Sequence, residues 1–509
     1  MTQISSHDPR RRSARRHRRR RGSVLVAIAA TLLLAATASP AEAKKGDPKK
    51  GVSCSSAEGY SHEDAVGSLY NIADAIKADK VWKDGHTGAG VDVALIDTGV
   101  VPVKGLDGPN KVINGPDFSL EADHADVRHL DTYGHGTHLA GIIAANDTDD
   151  ADEKHEKDEF QGIAPDARIV NLKVADHTGA VDVTQVIAAI DWAVANRNAN
   201  GLNIRVINLS YRAPGSIAYE SDPLSRAIQN AWDNGIVVVV AAGNDGSGTT
   251  QLASPAHDPF AIAVSAVVGK DQVKNGNCLD KKPKWEHTDY ASAADKHNRG
   301  PDVFAPGTTI VSLRNPGGTI DQLHPTSAVG DRFTKATGTS QSAAVVSGAV
   351  ALLLDARPEL TPDEVKALLI HASKGKDKTL DIHKAVKKSA PKNSQQNHAR
   401  SNGRGSLDDL RGNAKIRLNG RDIRADETPF GPWSPQDWVA TSTDGSAWTG
   451  SSWTGSSWTG SSWTGSSWTG SSWTGSSWTG SSWTGSSWTG SSWTGSSWTG
   501  DSWANASWD

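Results

Sequence analysis

Four residues stand in this sequence where an acyl-transfer reaction would need them. Asp97 directly follows the apolar run Val91–Ile96, in Leu-Ile-Asp-Thr-Gly. A carboxylate at a strand end is placed to orient a histidine, although alone it is equally a turn cap. His135 lies in Gly134-His135-Gly136-Thr137-His138-Leu139-Ala140-Gly141, at the start of a helical run. Its flanking glycines allow close approach of a substrate backbone. Two histidines three apart also suggest metal, but the chain has no His-Glu-x-x-His and no evident third ligand. His138 therefore reads as a packed neighbour, and no metal site is assigned. Asn244 ends Ala241-Ala242-Gly243-Asn244. Its amide suits a developing oxyanion, and equally a turn. Ser340 opens the apolar helical run Ser340–Leu354, within Gly338-Thr339-Ser340-Gln341-Ser342. The free N–H groups of a helix start suit a cap, or a nucleophile whose attack creates an anion. A serine is a poor nucleophile without a base. Asp, His, Asn and Ser in that order fit nucleophilic catalysis better than four unrelated turns.

The elements that must position them are legible. Val91–Ile96, Ile169–Val174, Ile204–Leu209, Ile236–Ala242 and Ala261–Val267 are short apolar runs without polar alternation. Such strands belong to a sheet covered on both faces. Helical patterns at Val183–Asn196 and Leu224–Asn234 separate them, which predicts parallel β-α-β units. In such sheets ligands bind beyond the carboxyl ends of the strands, where Asp97 and Asn244 fall. A Thr361/Glu364 capping box with Pro362 predicts a further helix over Thr361–Ala372.

Together, Asp97-Thr98-Gly99, the His135–Gly141 segment, Ala242-Gly243-Asn244 and Gly338-Thr339-Ser340 resemble the four signature blocks of the subtilisin-like serine peptidases. Val206-Ile207-Asn208-Leu209-Ser210 and Phe304-Ala305-Pro306-Gly307 match as well. The resemblance covers residues 66–386. It implies an α/β, three-layer domain with a mostly parallel central sheet, and a serine endopeptidase. In that reading Ser340 is the nucleophile, His135 the base, Asp97 its orienter and Asn244 an oxyanion donor. Substrate would lie against Ser210, Tyr211, Arg212, Ala242 and Gly243. No cofactor is required, and substrates are proteins or peptides. The sequence departs from the family pattern in three places. Gln341-Ser342-Ala343-Ala344 follows the nucleophile, without the usual proline. Arg212 occupies a wall position usually held by Gly, where a bulky charge narrows or re-aims the cleft. Asp245 follows the oxyanion Asn, where it either favours a basic side chain or is simply solvated. The family often binds Ca²⁺ after the histidine helix. The acidic loop Asp147–Glu159 lacks Gly punctuation and is interrupted by Lys154, His155 and Lys157, so it reads as solvated. Family members often carry a folded prodomain, and none is expected in the short stretch between Lys44 and about Ser68.

Composition bounds the rest. The chain has 509 residues and a net charge of −4, but nine arginines crowd Arg10–Arg21. Without residues 1–43 the net charge is −11, which disfavours a nucleic-acid partner. The basic run, the apolar Val24–Ala38 and Ala41-Glu42-Ala43 form a secretory signal pattern over 1–43. An uncleaved anchor is the alternative, but the apolar run is shorter than the ~20 residues of a membrane span. The expected location is extracellular or at the cell surface, and the expected state is a monomer. Cys54 and Cys278 fit either a disulfide or two thiols. Residues 387–406 carry five basic residues and no acid, and read as a solvated linker. Residues 387–440 are assigned to that linker and a small extension containing a hairpin. Residues 441–509 are a repeat tail, with Ser-Ser-Trp-Thr-Gly recurring ten times unchanged from Ser451 to Gly500. Period five matches neither helix nor strand, so a disordered string of thirteen spaced indoles is expected. Contact with a cell envelope or polymer follows as an expectation. The competing reading is a catalytically impaired surface protein that works through this tail.

Overall fold

The computed structural model describes residues 65–147, 159–245, 252–270, 284–287, 299–373, 379–418 and 420–442. It also describes the short pieces 447–449, 452–453, 463–464 and 467–468. Residues 1–64 with the expected signal pattern and Cys54, then Cys278, most of the acidic loop and most of the repeat tail lie outside the described residues.

A parallel sheet needs strands that are apolar on both faces, and the Val/Ile runs supply them. The central strands are β1 (Asp92–Asp97), β2 (Val112–Asn114), β3 (Arg168–Lys173), β4 (Ile204–Leu209), β5 (Val237–Ala241), β6 (Ile262–Lys270), β7 (Lys284–His287) and β8 (Val303–Pro306). Their order is β2-β3-β1-β4-β5-β6-β7, with β8 also pairing β6. All pairings are parallel except β6 with β7. The five strands expected from sequence are β1, β3, β4, β5 and β6.

Successive side chains alternate between two cores. Val93 and Leu95 of β1, Val206 of β4, and Val237 and Val239 of β5 face one. Ala94, Ile96, Ile207, Val238 and Val240 face the other. A one-residue slip would exchange these sets. The first core takes helices α1 (Leu69–Ile76), α2 (Ala78–Lys83) and α3 (His135–Ala144). The second takes α4 (Val183–Ala195) and α5 (Pro223–Asp233). A three-stranded antiparallel sheet of β9 (Ile310–Leu313), β10 (Ala328–Val329) and β11 (Phe333–Ala336) lies off the main one, with α6 (Thr319–Leu323) between its strands in sequence. The long helix α7 (Thr339–Ala356), then α8 (Pro362–Ala372) and α9 (Ile382–Lys387), complete the first core. Helix α7 packs against β4, β5, β6 and β8, which explains why it is apolar nearly all round. The α8 capping box is present, with Thr361 and Glu364 satisfying each other's backbone N–H. Asp182 and Gln185 form a second box on α4.

The reading of residues 387–406 as a solvated linker is corrected. Residues 388–406 form a strap whose polar groups find partners on the domain. Gln396 donates to Asp363 and Arg400 pairs with Asp233 at 2.6 Å. The Arg400 guanidinium also lies 3.7 Å over the Phe260 ring. Ser401 is buried, its N–H donating to Gln229 and its hydroxyl to the Asp222 carbonyl. Beyond it, α10 (Leu407–Arg411), two short hairpins and α11 (Pro435–Ser442) add Leu407, Leu410, Phe430, Trp433 and Trp438 to the second core. The Trp438 indole N–H donates to Asp191 at 2.7 Å. A polar, acid-free composition suggests solvation, but here its hydrogen bonds end on groups far away in sequence. In the tail, Trp448 pairs with Trp453 and Trp463 with Trp468 in short antiparallel ladders. In both, period five sets one Trp against the next, with Gly-Ser between the two strands in sequence.

Candidate active site

Strand β1 ends on Asp97, and α3 begins on His135. The two side chains are fully buried and meet at 2.7 Å between His135 Nδ1 and Asp97 Oδ1. The Thr98 N–H donates to the same oxygen at 2.8 Å. A carboxylate oxygen only accepts, so Nδ1 carries the proton and Nε2 is the basic nitrogen.

The entry of α3 is fixed by two residues that sequence reasoning did not single out. Thr98 Oγ accepts from the Gly136 N–H and donates to Asp131 at 2.8 Å each. The buried Asp131 also accepts from the N–H groups of Tyr133, Gly134 and Thr137. Burial raises the Asp131 pKa, and these hydrogen bonds oppose that rise. The signal in the sequence is Asp131 itself, a capping residue shortly before a Gly-flanked helix start. Gly136 must be glycine, because a methyl group there would overlap the Gly99 carbonyl.

His138 is buried, with Nε2 3.3 Å from the Ile310 carbonyl. Desolvation, and then the neighbouring His135, hold its pKa down at about 3. It is a neutral packed residue, as expected. Among the described residues no group of three or more His, Cys, Asp or Glu is placed to hold a metal. Asp147, at the edge of the acidic loop, is engaged by Arg332.

His138 gives a prediction with a definite sign. Its ordinary pKa of 6.5 is lowered on folding. Below pH 6.5 the unfolded chain takes up a proton that the folded chain does not. Stability therefore falls as the pH is lowered, by up to about 1.4 kcal/mol per unit from this group between 6.5 and 3. Urea unfolding at pH 7, 6 and 5 measures the slope. His138→Gln should flatten it by about one proton, and equal slopes in the two proteins would refute the assignment.

Ser340 lies in the first turn of α7 and is almost fully buried. Its carbonyl accepts from Ser210 Oγ at 3.4 Å, just past β4. The β1–β4 register, with Leu95 opposite Asn208, brings Ser210 alongside Asp97. Asn208 Nδ2 donates to Ser210 Oγ at 3.2 Å, and Ser347 Oγ donates to Asn208 Oδ1 at 2.8 Å. After β5, the Gly243 N–H donates to Thr339 Oγ at 3.1 Å, and Asn244 Oδ1 accepts from the Thr339 N–H at 2.8 Å. That contact fixes the amide orientation, leaving Nδ2 as the donor end. A methyl group built on Gly338 would come within 3.2 Å of Nδ2, so the amide stands over the turn that enters α7.

The departures after the nucleophile leave the helix intact. Helix α7 runs uninterrupted from Thr339, and Ser342 Oγ donates to the Ala305 carbonyl at 3.1 Å. Gln341 is fully buried. The expected substrate walls divide. The side chains of Tyr211 and Ala242 point into the second core, and burial raises the Tyr211 pKa. These two positions can offer a substrate only backbone. Arg212 and Asp245 meet each other, with Nη2 to Oδ2 at 3.1 Å. A separate cavity of about 560 Å³, lined by residues such as Tyr219, His257, Lys366 and His398, includes none of Asp97, His135 and Ser340.

Residues 88–405 match the Subtilase family (Peptidase_S8). The chain is 32% identical over 340 residues to Serine protease AprX of Bacillus subtilis (strain 168), covering 64% of this chain and 71% of that protein. It is also 32% identical over 293 residues to Subtilisin DY of Bacillus licheniformis, covering 57% of this chain and 86% of that protein.

Proposed function

Because the chain belongs to the subtilase family and is a serine-type endopeptidase, we propose that it cleaves peptide bonds through an acyl-enzyme on Ser340. The observation that carries this reading is the buried 2.7 Å contact between His135 Nδ1 and Asp97. It leaves Nε2 to accept the Ser340 proton. Ser340 Oγ attacks the scissile carbonyl, and the carbonyl electron pair moves to oxygen. His135 passes its proton to the leaving amine as the C–N bond breaks. Water then attacks the ester, again through His135, and releases the acid. Asp97 holds the imidazole in the useful tautomer and balances its charge when protonated.

Asn244 Nδ2 and the Ser340 backbone N–H donate to the oxyanion. Donors held in place before the reaction need no reorganisation as charge develops. Asn244→Ala is expected to lower kcat by about 10²–10³, the size of the loss in a subtilisin that lacks its oxyanion asparagine. Because the side chain acts mainly in the transition state, KM should change little. An equal change in KM with kcat preserved would assign Asn244 to substrate binding instead.

The reading is tested by a fluorophosphonate probe, which should label the wild type and not Ser340→Ala. A folded wild type that takes no label would overturn it and favour binding through the tail. Residues 1–43 are proposed to direct export. The tail is proposed to retain the enzyme on a cell envelope or polymer, supported by its evenly spaced indoles and by three aspartates as its only charged residues. Ala447 is buried, so a chain ending there keeps the body whole. It should move from the cell fraction to the medium, and an unchanged partition would refute retention.

A further inference from the structure

We propose that Arg212 and Asp245 are two opposed specificity determinants that silence each other across the substrate cleft. The inference rests on the cleft assigned above. Residues 210–212 and 243–245 leave neighbouring parallel strands, β4 and β5. Each segment is anchored at the nucleophile: Ser210 on the Ser340 carbonyl, Gly243 and Asn244 on Thr339. Arg212 lies two residues beyond the first anchor, and Asp245 one beyond the second. Asp245 Oδ2 folds back over Gly243, within 3.8 Å of where a Cβ would stand. Gly243 has φ +103°, a conformation that admits glycine readily and keeps this approach open. The ion pair therefore spans the gap between the two walls.

Its chemistry is incomplete in an informative way. Asp245 takes Nη2, whereas Arg212 Nε is buried with no hydrogen-bond partner among the described residues. Both side chains are about one-third exposed, at 36% and 33%. Solvent and a bound peptide can thus reach them. As a pair they present no net charge, so the wild type should prefer an uncharged residue on the acyl side of the scissile bond. Remove one partner and the other faces the substrate alone. Arg212→Gly leaves a carboxylate that attracts Lys or Arg. Asp245→Asn leaves a guanidinium with free donors, suited to Glu or Asp.

The test uses the full chain and peptide substrates that differ only in that residue: Lys, Glu or Leu. The ratio of kcat/KM for Lys over Glu should rise about tenfold in Arg212→Gly and fall about tenfold in Asp245→Asn. The double variant should return near the wild-type ratio, because both charges are gone. The shifts should shrink at high salt. Single variants that leave the ratio within twofold of wild type, or move it in the same direction, overturn the proposal. Fluorophosphonate labelling is read alongside. Labelled variants with unchanged preference refute this inference alone, whereas an unlabelled wild type refutes the endopeptidase reading and this inference with it.

Discussion

Ser340→Ala is expected to lower kcat by about 10⁶-fold while leaving the fold intact. That size is the loss seen in a subtilisin without its nucleophile, and it comes to this chain by family membership. The physical reason is visible here. The Asp97–His135 pair is preorganised at 2.7 Å, but a base without a hydroxyl has no proton to take. Asp97→Asn should cost less, about 10⁴-fold. An amide can donate to Nδ1 and so stabilise the wrong tautomer, placing the proton on Nε2. It also leaves the imidazolium without its counter-charge. Because the Thr98 N–H shares that oxygen with Nδ1, it loses its acceptor when the amide nitrogen turns there, so a small loss of stability should accompany the loss of rate. Single-turnover kinetics on a chromogenic peptide, with urea unfolding as a control for folding, measures both variants. Activity within tenfold of wild type for Ser340→Ala would remove it as the nucleophile.

Arg411→Met should destabilise the chain by about 3–5 kcal/mol. The Arg411 side chain is 1% exposed and its partner Asp182 equally so. Arg411 Nε donates to Asp182 at 2.6 Å, and its other nitrogens reach the Arg424 and Glu427 carbonyls at 2.8 and 2.6 Å. Asp182 is also the N-cap of α4. Removing the cation leaves a buried carboxylate, and two part-buried carbonyls, without that partner, which costs more than the pair was worth. Asp182→Asn in the same chain should recover part of the loss, because the uncompensated charge disappears. The urea midpoint at constant m-value measures this. A cost below about 1 kcal/mol would mean that the extension from α10 onward is not integral to the domain.

What the residues encode over short range can be read without the fold. Unalternating Val and Ile runs specify buried parallel strands, because both faces of each strand must be apolar. The Thr361–Glu364 box specifies a helix start, because the groups that satisfy each other lie three residues apart. Asp97, His135, Asn244 and Ser340 are legible as candidates because each sits at or just past a strand or helix end within a short pattern of small residues. Contacts between distant segments carry no such local pattern. Asp131 reaches Thr98 across 33 residues, and Arg411 reaches Asp182 across 229. Tyr211 turns inward because the strand pleat and the docked extension put apolar matter on that side. Arg212 and Asp245 look like two independent charges until parallel neighbours β4 and β5 bring their ends together. Residues 388–406 look like a solvated strap for the same reason. A polar side chain carries no mark in the sequence of whether water or a distant carbonyl will satisfy it, and only the folded chain makes that choice.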